Sequence, residues 1–169
     1  MGYIFEFRAG TIAKTETALA NSGPEIADAD PDIAQLVADT VAAGEPHSIT
    51  PDIASYVVDV IQGNSWWWGS IQHSSSGGIT FRTEITEDLA DPYGRDFITN
   101  LVNRPILALH TTDHPLIGWV TNSEIRNAYN RSQNRQLPAP EVQSELLRTL
   151  IPILERAIEH DLDLWGLYL

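Results

Sequence analysis

Three consecutive tryptophans are the residues of this chain whose type and spacing point most directly to binding chemistry. Trp66, Trp67 and Trp68 stand in N-S-W-W-W-G-S-I-Q-H, ahead of a serine- and glycine-rich stretch. Exposed tryptophan stacks on sugars, bases and cations and is enriched at protein-protein hot spots. On a strand, Trp66 and Trp68 would point to one face and Trp67 to the other. We therefore expect at least one indole to meet solvent; burial of two indoles in the core, with the third lying flat on an aliphatic side chain, is the alternative.

The residues around the tryptophans do not define a catalytic site. Ser70 and His73 lie close in sequence, and Glu84 and Glu87 follow, but a nucleophile needs a base within hydrogen-bond reach and a third group that orients it. No spacing here fixes that geometry, and no G-x-S-x-G sequence occurs. The 23 acidic residues offer many carboxylate pairs, but sequence distance cannot select a glycosidase pair among them. The sequence predicts no catalytic residue and favours a non-enzymatic protein.

Two histidines and a carboxylate lie within five residues, in the order His110, Asp113 and His114. Imidazole and carboxylate groups can together bind zinc. Pro115, however, keeps His114 out of helical geometry, so the segment is better interpreted as a turn between strands, with Asp113 as its hydrogen-bonding residue. We expect no metal site.

No phosphate-binding loop occurs in the chain. Neither G-x-x-x-x-G-K-S/T nor G-x-G-x-x-G is present, Gly77 and Gly78 suit a turn, and the only lysine is Lys14 in an early predicted helix. The common kinds of nucleotide-dependent chemistry are therefore disfavoured, and no cofactor is expected. Because the chain has no cysteine, disulfides, thiol nucleophiles and thiolate metal sites are excluded.

The formal net charge of -13 is the strongest global signal in the sequence. Such a chain would repel phosphate backbones, so nucleic-acid binding is not expected, whereas a basic protein partner would be attracted. Acidity that serves only solubility is the alternative. Much of the charge should be exposed on the outward faces of two adjacent helices, at Asp32, Asp39, Asp52 and Asp59.

Periodicity and capping signals predict a single α+β domain over residues 1–169. Residues 3–7 alternate like a first strand, and 161–169 alternate like a closing strand that could pair with it. About five to six helices should pack on this mixed or antiparallel sheet. The clearest two begin at Asp30-Pro31 and Thr50-Pro51, and they should end at Gly44 and Gly63.

The remaining predicted elements follow from shorter patterns. They are a helix over 11–20, a hairpin of strands 66–71 and 79–85, a turn over 91–94, a helix over 97–102, strands over 105–109 and 116–120, a helix from a Thr121–Glu124 capping box to about 131, and a long helix over 140–160.

Both ends of the chain resemble a known pattern. Ile117-Gly118-Trp119-Val120-Thr121 followed by Glu124, a long helix, the ending Asp-Leu-Trp-Gly-Leu-Tyr-Leu and the start Met-Gly-x-Ile are similar to the uncharacterised bacterial YfbM-like domain-of-unknown-function proteins. The resemblance covers about the last third and the first few residues. It implies a compact α+β fold, says nothing about chemistry, and carries over no functional residue.

These observations predict an acidic, non-enzymatic protein-binding module, for example an immunity or inhibitor protein that neutralises a basic toxin or enzyme. The predicted partner-binding residues are Trp66, Trp67, Trp68, His73, Asp32, Asp39, Asp52 and Asp59. The alternative is a small-molecule- or glycan-binding protein, or a small hydrolase, with a tryptophan-walled pocket near His73 and Glu84. Since the sequence shows neither a signal peptide nor an apolar stretch of about 20 residues, we expect a cytoplasmic protein with no membrane contact. The oligomeric state is left open.

Overall fold

The structure is a computed structural model that describes residues 2–21, 30–74, 89–112, 114–135 and 145–169. Its strands are, in chain order, β1 (Gly2–Gly10), β2 (His47–Ser48), β3 (Ser65–Ser74), β4 (Leu109–His110), β5 (Leu116–Val120) and β6 (Asp163–Tyr168). Four of them form an antiparallel sheet in the order β3-β1-β6-β5, and the two short strands β2 and β4 pair in parallel. The first and last strands are neighbours, as predicted.

Seven helices in the described residues accompany this mainly antiparallel arrangement of strands, which confirms the predicted α+β fold. They are α1 (Ile12–Ala20), α2 (Pro31–Ala43), α3 (Pro51–Gly63), α4 (Ala90–Tyr93), α5 (Arg95–Val102), α6 (Asn122–Gln133) and α7 (Glu145–His160). No helix in the described segments is long and apolar enough to span a bilayer.

Helices cover the antiparallel sheet on both faces, and each face has its own hydrophobic core. Strand β6 belongs to both cores, because alternate side chains of a strand point to opposite faces. Leu164 and Tyr168 pack with side chains from α4 to α7, whereas Trp165 and Leu167 pack with side chains from α1 to α3. The sheet is therefore the middle layer between two groups of helices.

The capping signals predicted the starts of α2 and α3 correctly. The Asp30 carboxylate accepts a hydrogen bond from the backbone N–H of Asp32, Thr50 caps α3 in the same way, and Pro31 and Pro51 begin the two helices. Gly44 follows α2 in the left-handed conformation that glycine tolerates. The predicted end of α3 is off by one residue, since Gly63 is still helical and Asn64 is the C-cap.

Two predicted elements are wrong. The strand over 105–109 is reduced to Leu109–His110, because Ile106 and Leu109 exchange two backbone hydrogen bonds that close a tight turn. The turn over 91–94 is instead the end of α4, followed by Gly94 with a φ of 99°. The predicted strand over 79–85 and the beginning of the long helix, 140–144, lie outside the described residues.

A pair of glycines fixes how closely α5 approaches the sheet. Gly118 of β5 lies opposite Gly166 of β6 in the strand register. A Cβ atom at either position would overlap the backbone carbonyl oxygen of Leu101, near the end of α5. Because this obstacle is backbone, it cannot move aside as a side chain would, so only glycine permits the packing.

We predict that Gly166→Ala lowers the free energy of unfolding by about 3 kcal/mol or more, since α5 must be displaced from the sheet. Urea denaturation of the purified variant measures this change. Gly63→Ala is the matched control, because a Cβ at this helical position meets no atom within 4 Å. An equal loss in both variants would contradict the close contact.

The capping box of α6 carries an ion pair. Glu124 accepts hydrogen bonds from the backbone N–H and the hydroxyl of Thr121, at 2.8 and 2.9 Å, and from the Arg104 guanidinium at 2.9 Å. Arg104 in turn lies 3.6 Å from the ring centre of Trp119. Partial burial alone would raise the pKa of Glu124, but these hydrogen bonds and the charge of Arg104 lower it below its usual value.

Because the pKa of Glu124 is lower in the folded protein, its ionised form stabilises the fold above its unfolded pKa, near 4.5, and this stabilisation is lost as pH falls through the folded pKa. We predict that Glu124→Gln costs about 1 kcal/mol at pH 7, a modest figure because the pair is partly exposed. Urea denaturation between pH 7 and 3 should show the two proteins converging in acid. If the free energies of unfolding of the wild type and the variant differed by the same amount at every pH, the ion pair would be contradicted.

Candidate functional site

Two of the three tryptophans are exposed. They lie near the start of β3, where Trp66 is 64% and Trp67 57% accessible to solvent, while Trp68 is half-buried against the core on the α7 side. The expectation that at least one indole meets solvent is confirmed, and burial of two indoles in the core is wrong. Adjacent exposed indoles are uncommon on a protein surface, because tryptophan is well buried on average.

A β-bulge orients the tryptophans. Phe7 pairs with Gly69 and Arg8 pairs with Trp67, so Trp68 is an extra residue without a partner on β1. Cross-strand partners share a face of the sheet. Trp66, which pairs with Ala9, therefore shares the α7 face with Trp68, and Trp67 lies on the face of Arg8.

Arg8 ties the beginning of β3 to the end of α3. Its guanidinium donates to the hydroxyl of Ser65 at 3.0 Å and to the carbonyl oxygens of Gln62 and Ser65, both at 3.2 Å. It also forms an ion pair with Glu6 at 3.3 Å. Because several hydrogen bonds hold the residue directly before Trp66, the exposed indoles stand on a fixed backbone and lose little conformational entropy when they bind.

A groove of about 560 Å³ opens beside the tryptophans, lined by Trp66, Trp67, Trp68, Arg156, His160 and Leu162. The Arg156 guanidinium lies 4.7 Å from the ring centre of Trp68, and the His160 ring centre lies 6.4 Å from the same indole. Gly69 lets α7 pack closely here, since a Cβ would be 3.3 Å from the Ile153 methyl group. The groove therefore combines apolar walls with two side chains from the end of α7, Arg156 and His160.

The acidic residues form a separate surface. Asp32 and Asp39 of α2 and Asp52 and Asp59 of α3 are all exposed, as predicted, and none of them lines the groove. Leu36 of α2 is also half exposed. The helix instead packs through Ala34, Val37 and Ala38, which rotates Leu36 outward.

The histidines predicted from sequence have different positions. Only the backbone of His73 is described, opposite Tyr3, and Glu84 lies outside the described residues, so the pocket predicted near them stays a prediction. His114 packs against the rings of Tyr3 and Tyr168, with centroid distances of 4.8 and 4.5 Å. No group of three or more metal-binding side chains occurs in the described segments, which do not include Asp113.

Sequence reasoning missed Arg156, His160 and Leu162. Arg156 and His160 are four residues apart on a helix, and this spacing could have predicted that they share one face. Their contact with Trp68 could not be predicted, because it depends on a bulge and on the packing of α7 against a strand almost ninety residues away.

No protein-family model, no curated protein and no solved structure matches this chain.

Proposed function

We propose that this protein is an acidic, non-enzymatic protein-binding module that acts in the cytoplasm and binds its partner through Trp66 and Trp67. The observation that carries the proposal is the exposure of these two adjacent indoles on a backbone held by Arg8. Tryptophan side chains bury 150–250 Å² each and dominate the energetics of many interfaces. An exposed pair therefore offers a partner a large apolar anchor.

The acidic surface supports the choice of a basic partner. The net charge is -13, and Asp32, Asp39, Asp52 and Asp59 are exposed on neighbouring helices. A negative field of this kind accelerates association with a basic protein, while an apolar anchor slows dissociation. Immunity and inhibitor proteins that neutralise a basic toxin or enzyme need both properties, so we assign the protein to this functional class.

We predict that the double variant Trp66→Ser/Trp67→Ser loses its partner when tagged protein is recovered from its native cells. Each indole at a hot spot contributes about 2 kcal/mol, so the partner's dissociation constant should rise at least about thirtyfold per indole. Quantitative mass spectrometry identifies the captured protein, and titration of the purified pair measures the affinity. Thermal unfolding should be unchanged, because both side chains are exposed.

Leu107→Ser is the control for this experiment, since it removes another exposed apolar side chain, which belongs neither to the groove nor to α2 and α3. It should leave capture intact. Equal capture by wild type and the double tryptophan variant would overturn the proposed binding site.

We further predict that Asp32→Lys/Asp39→Lys reduces the association rate about tenfold at low salt, because it reverses part of the attracting field. Stopped-flow association at rising ionic strength should show the difference shrinking as charges are screened. Asp96→Lys/Glu145→Lys makes the same change in net charge at exposed positions on the other side of the sheet. An equal effect of both pairs would mean that net charge matters and the α2–α3 surface does not.

A further inference from the structure

The groove beside the tryptophans has a local charge opposite to that of the whole protein. Its six lining residues include Arg156 and His160 and no acidic side chain. Acidic residues outnumber basic ones by 23 to 10 in the chain. A basic groove in such a protein needs a separate explanation, since attraction of a basic partner does not require it.

Within the described residues, the guanidinium of Arg156 lacks the acidic partner that three other arginines have. Arg8, Arg104 and Arg126 each form an ion pair. Across the described ranges, by contrast, Arg156 forms no ion pair and no hydrogen bond. Its guanidinium stacks on the indole of Trp68. A guanidinium carries five N–H donors in a planar fork that matches a carboxylate, so these donors are available to a ligand.

The acids close to Arg156 in sequence are directed elsewhere. The carboxylate of Glu155 accepts a hydrogen bond from the Tyr129 hydroxyl at 2.7 Å, and Asp161 pairs with Arg126 at 3.4 Å. Glu159 is exposed and does not line the groove. The guanidinium of Arg156 lies instead over the indole of Trp68, the residue that the bulge leaves without a partner on β1.

We infer that this groove binds an acidic segment of the protein partner, with a carboxylate on Arg156 and an adjacent apolar side chain against Trp66, the exposed indole on the α7 face. The inference rests on the proposed protein-binding function and adds the chemistry of the contacting segment. The groove volume of about 560 Å³ lies in the range of sites that enclose a few side chains. The partner would then present a basic surface to α2 and α3 and an acidic, apolar segment to the groove.

Charge complementarity selects this occupant. A basic segment would face Arg156, and a neutral saccharide would stack on the indoles but offer the guanidinium only neutral hydroxyl acceptors, which bind it more weakly than a carboxylate does. The repulsion between an acidic peptide and the overall negative charge is screened beyond about 8 Å at physiological ionic strength, whereas the direct contact with Arg156 persists.

The test uses NMR of the full chain, whose five tryptophans give five indole N–H signals assigned by single Trp→Phe variants. The probes are the peptides acetyl-Glu-Phe-Leu-Glu-amide, acetyl-Gln-Phe-Leu-Gln-amide and acetyl-Lys-Phe-Leu-Lys-amide, together with glucuronic acid. The glutamate peptide should shift the signals of Trp66, Trp67 and Trp68. Trp165, which is fully buried, and Trp119, whose indole N–H bonds to Pro105, are internal references.

Arg156→Gln should weaken binding of the glutamate peptide about tenfold and bring its affinity down to that of the glutamine peptide. Arg156→Lys should restore part of the loss, because it keeps the charge without the fork. Arg148→Gln is the matched control, since Arg148 is exposed on the same helix, two turns away, and does not line the groove. Thermal unfolding of each variant checks that the fold is retained.

Three results would overturn the inference: equal binding of the lysine and glutamate peptides, binding that is insensitive to Arg156→Gln, or binding of glucuronic acid alone, which would indicate a saccharide site. Each is distinguishable from failure of the proposed function. If Trp66→Ser/Trp67→Ser abolishes partner capture while the glutamate peptide does not bind, the protein-binding function stands and the acidic segment is wrong.

Discussion

Strand β6 is buried on both faces, and the placement of most other elements follows from this requirement. Every side chain from Leu164 to Tyr168 is inaccessible, so both faces of the strand need a layer of apolar partners. Polar backbone groups at such a depth also need hydrogen bonds, and β1 and β5 supply them on either side. Two groups of helices then cover the two faces, and Gly166 permits the close contact with α5.

The tryptophans are exposed because this double coverage ends before it reaches β3. Towards the tryptophans, the α3 face of β1 carries Glu6 and Arg8, which pair with each other instead of extending the apolar core. Trp67, opposite Arg8, therefore has no apolar partner on that strand. On the other face Trp68 packs against the core on the α7 side, where Gly69 permits a close approach of Ile153. Trp66 and Trp67 remain accessible for a partner.

The sequence predicts the local structure correctly wherever a few adjacent residues decide it. Three kinds of element form as predicted: the two terminal strands, the capping box of Thr121 and Glu124, and the helix starts at Asp30-Pro31 and Thr50-Pro51. The prediction of a strand over 105–109 is wrong because a tight turn forms there in place of an extended backbone. The groove could not be predicted, since Trp68 and Arg156 meet only through strand register and helix packing.

Separation by the sheet lets one small protein carry two surfaces of opposite charge. Helices α2 and α3 lie on one face and α7 on the other, so their side chains are roughly 20 Å apart when each layer adds about 10 Å. That distance exceeds the screening length of about 8 Å in physiological salt. The exposed acids of α2 and α3 therefore neither neutralise Arg156 nor compete with a carboxylate for it. Long-range attraction and local recognition can then select different chemical features of the same partner.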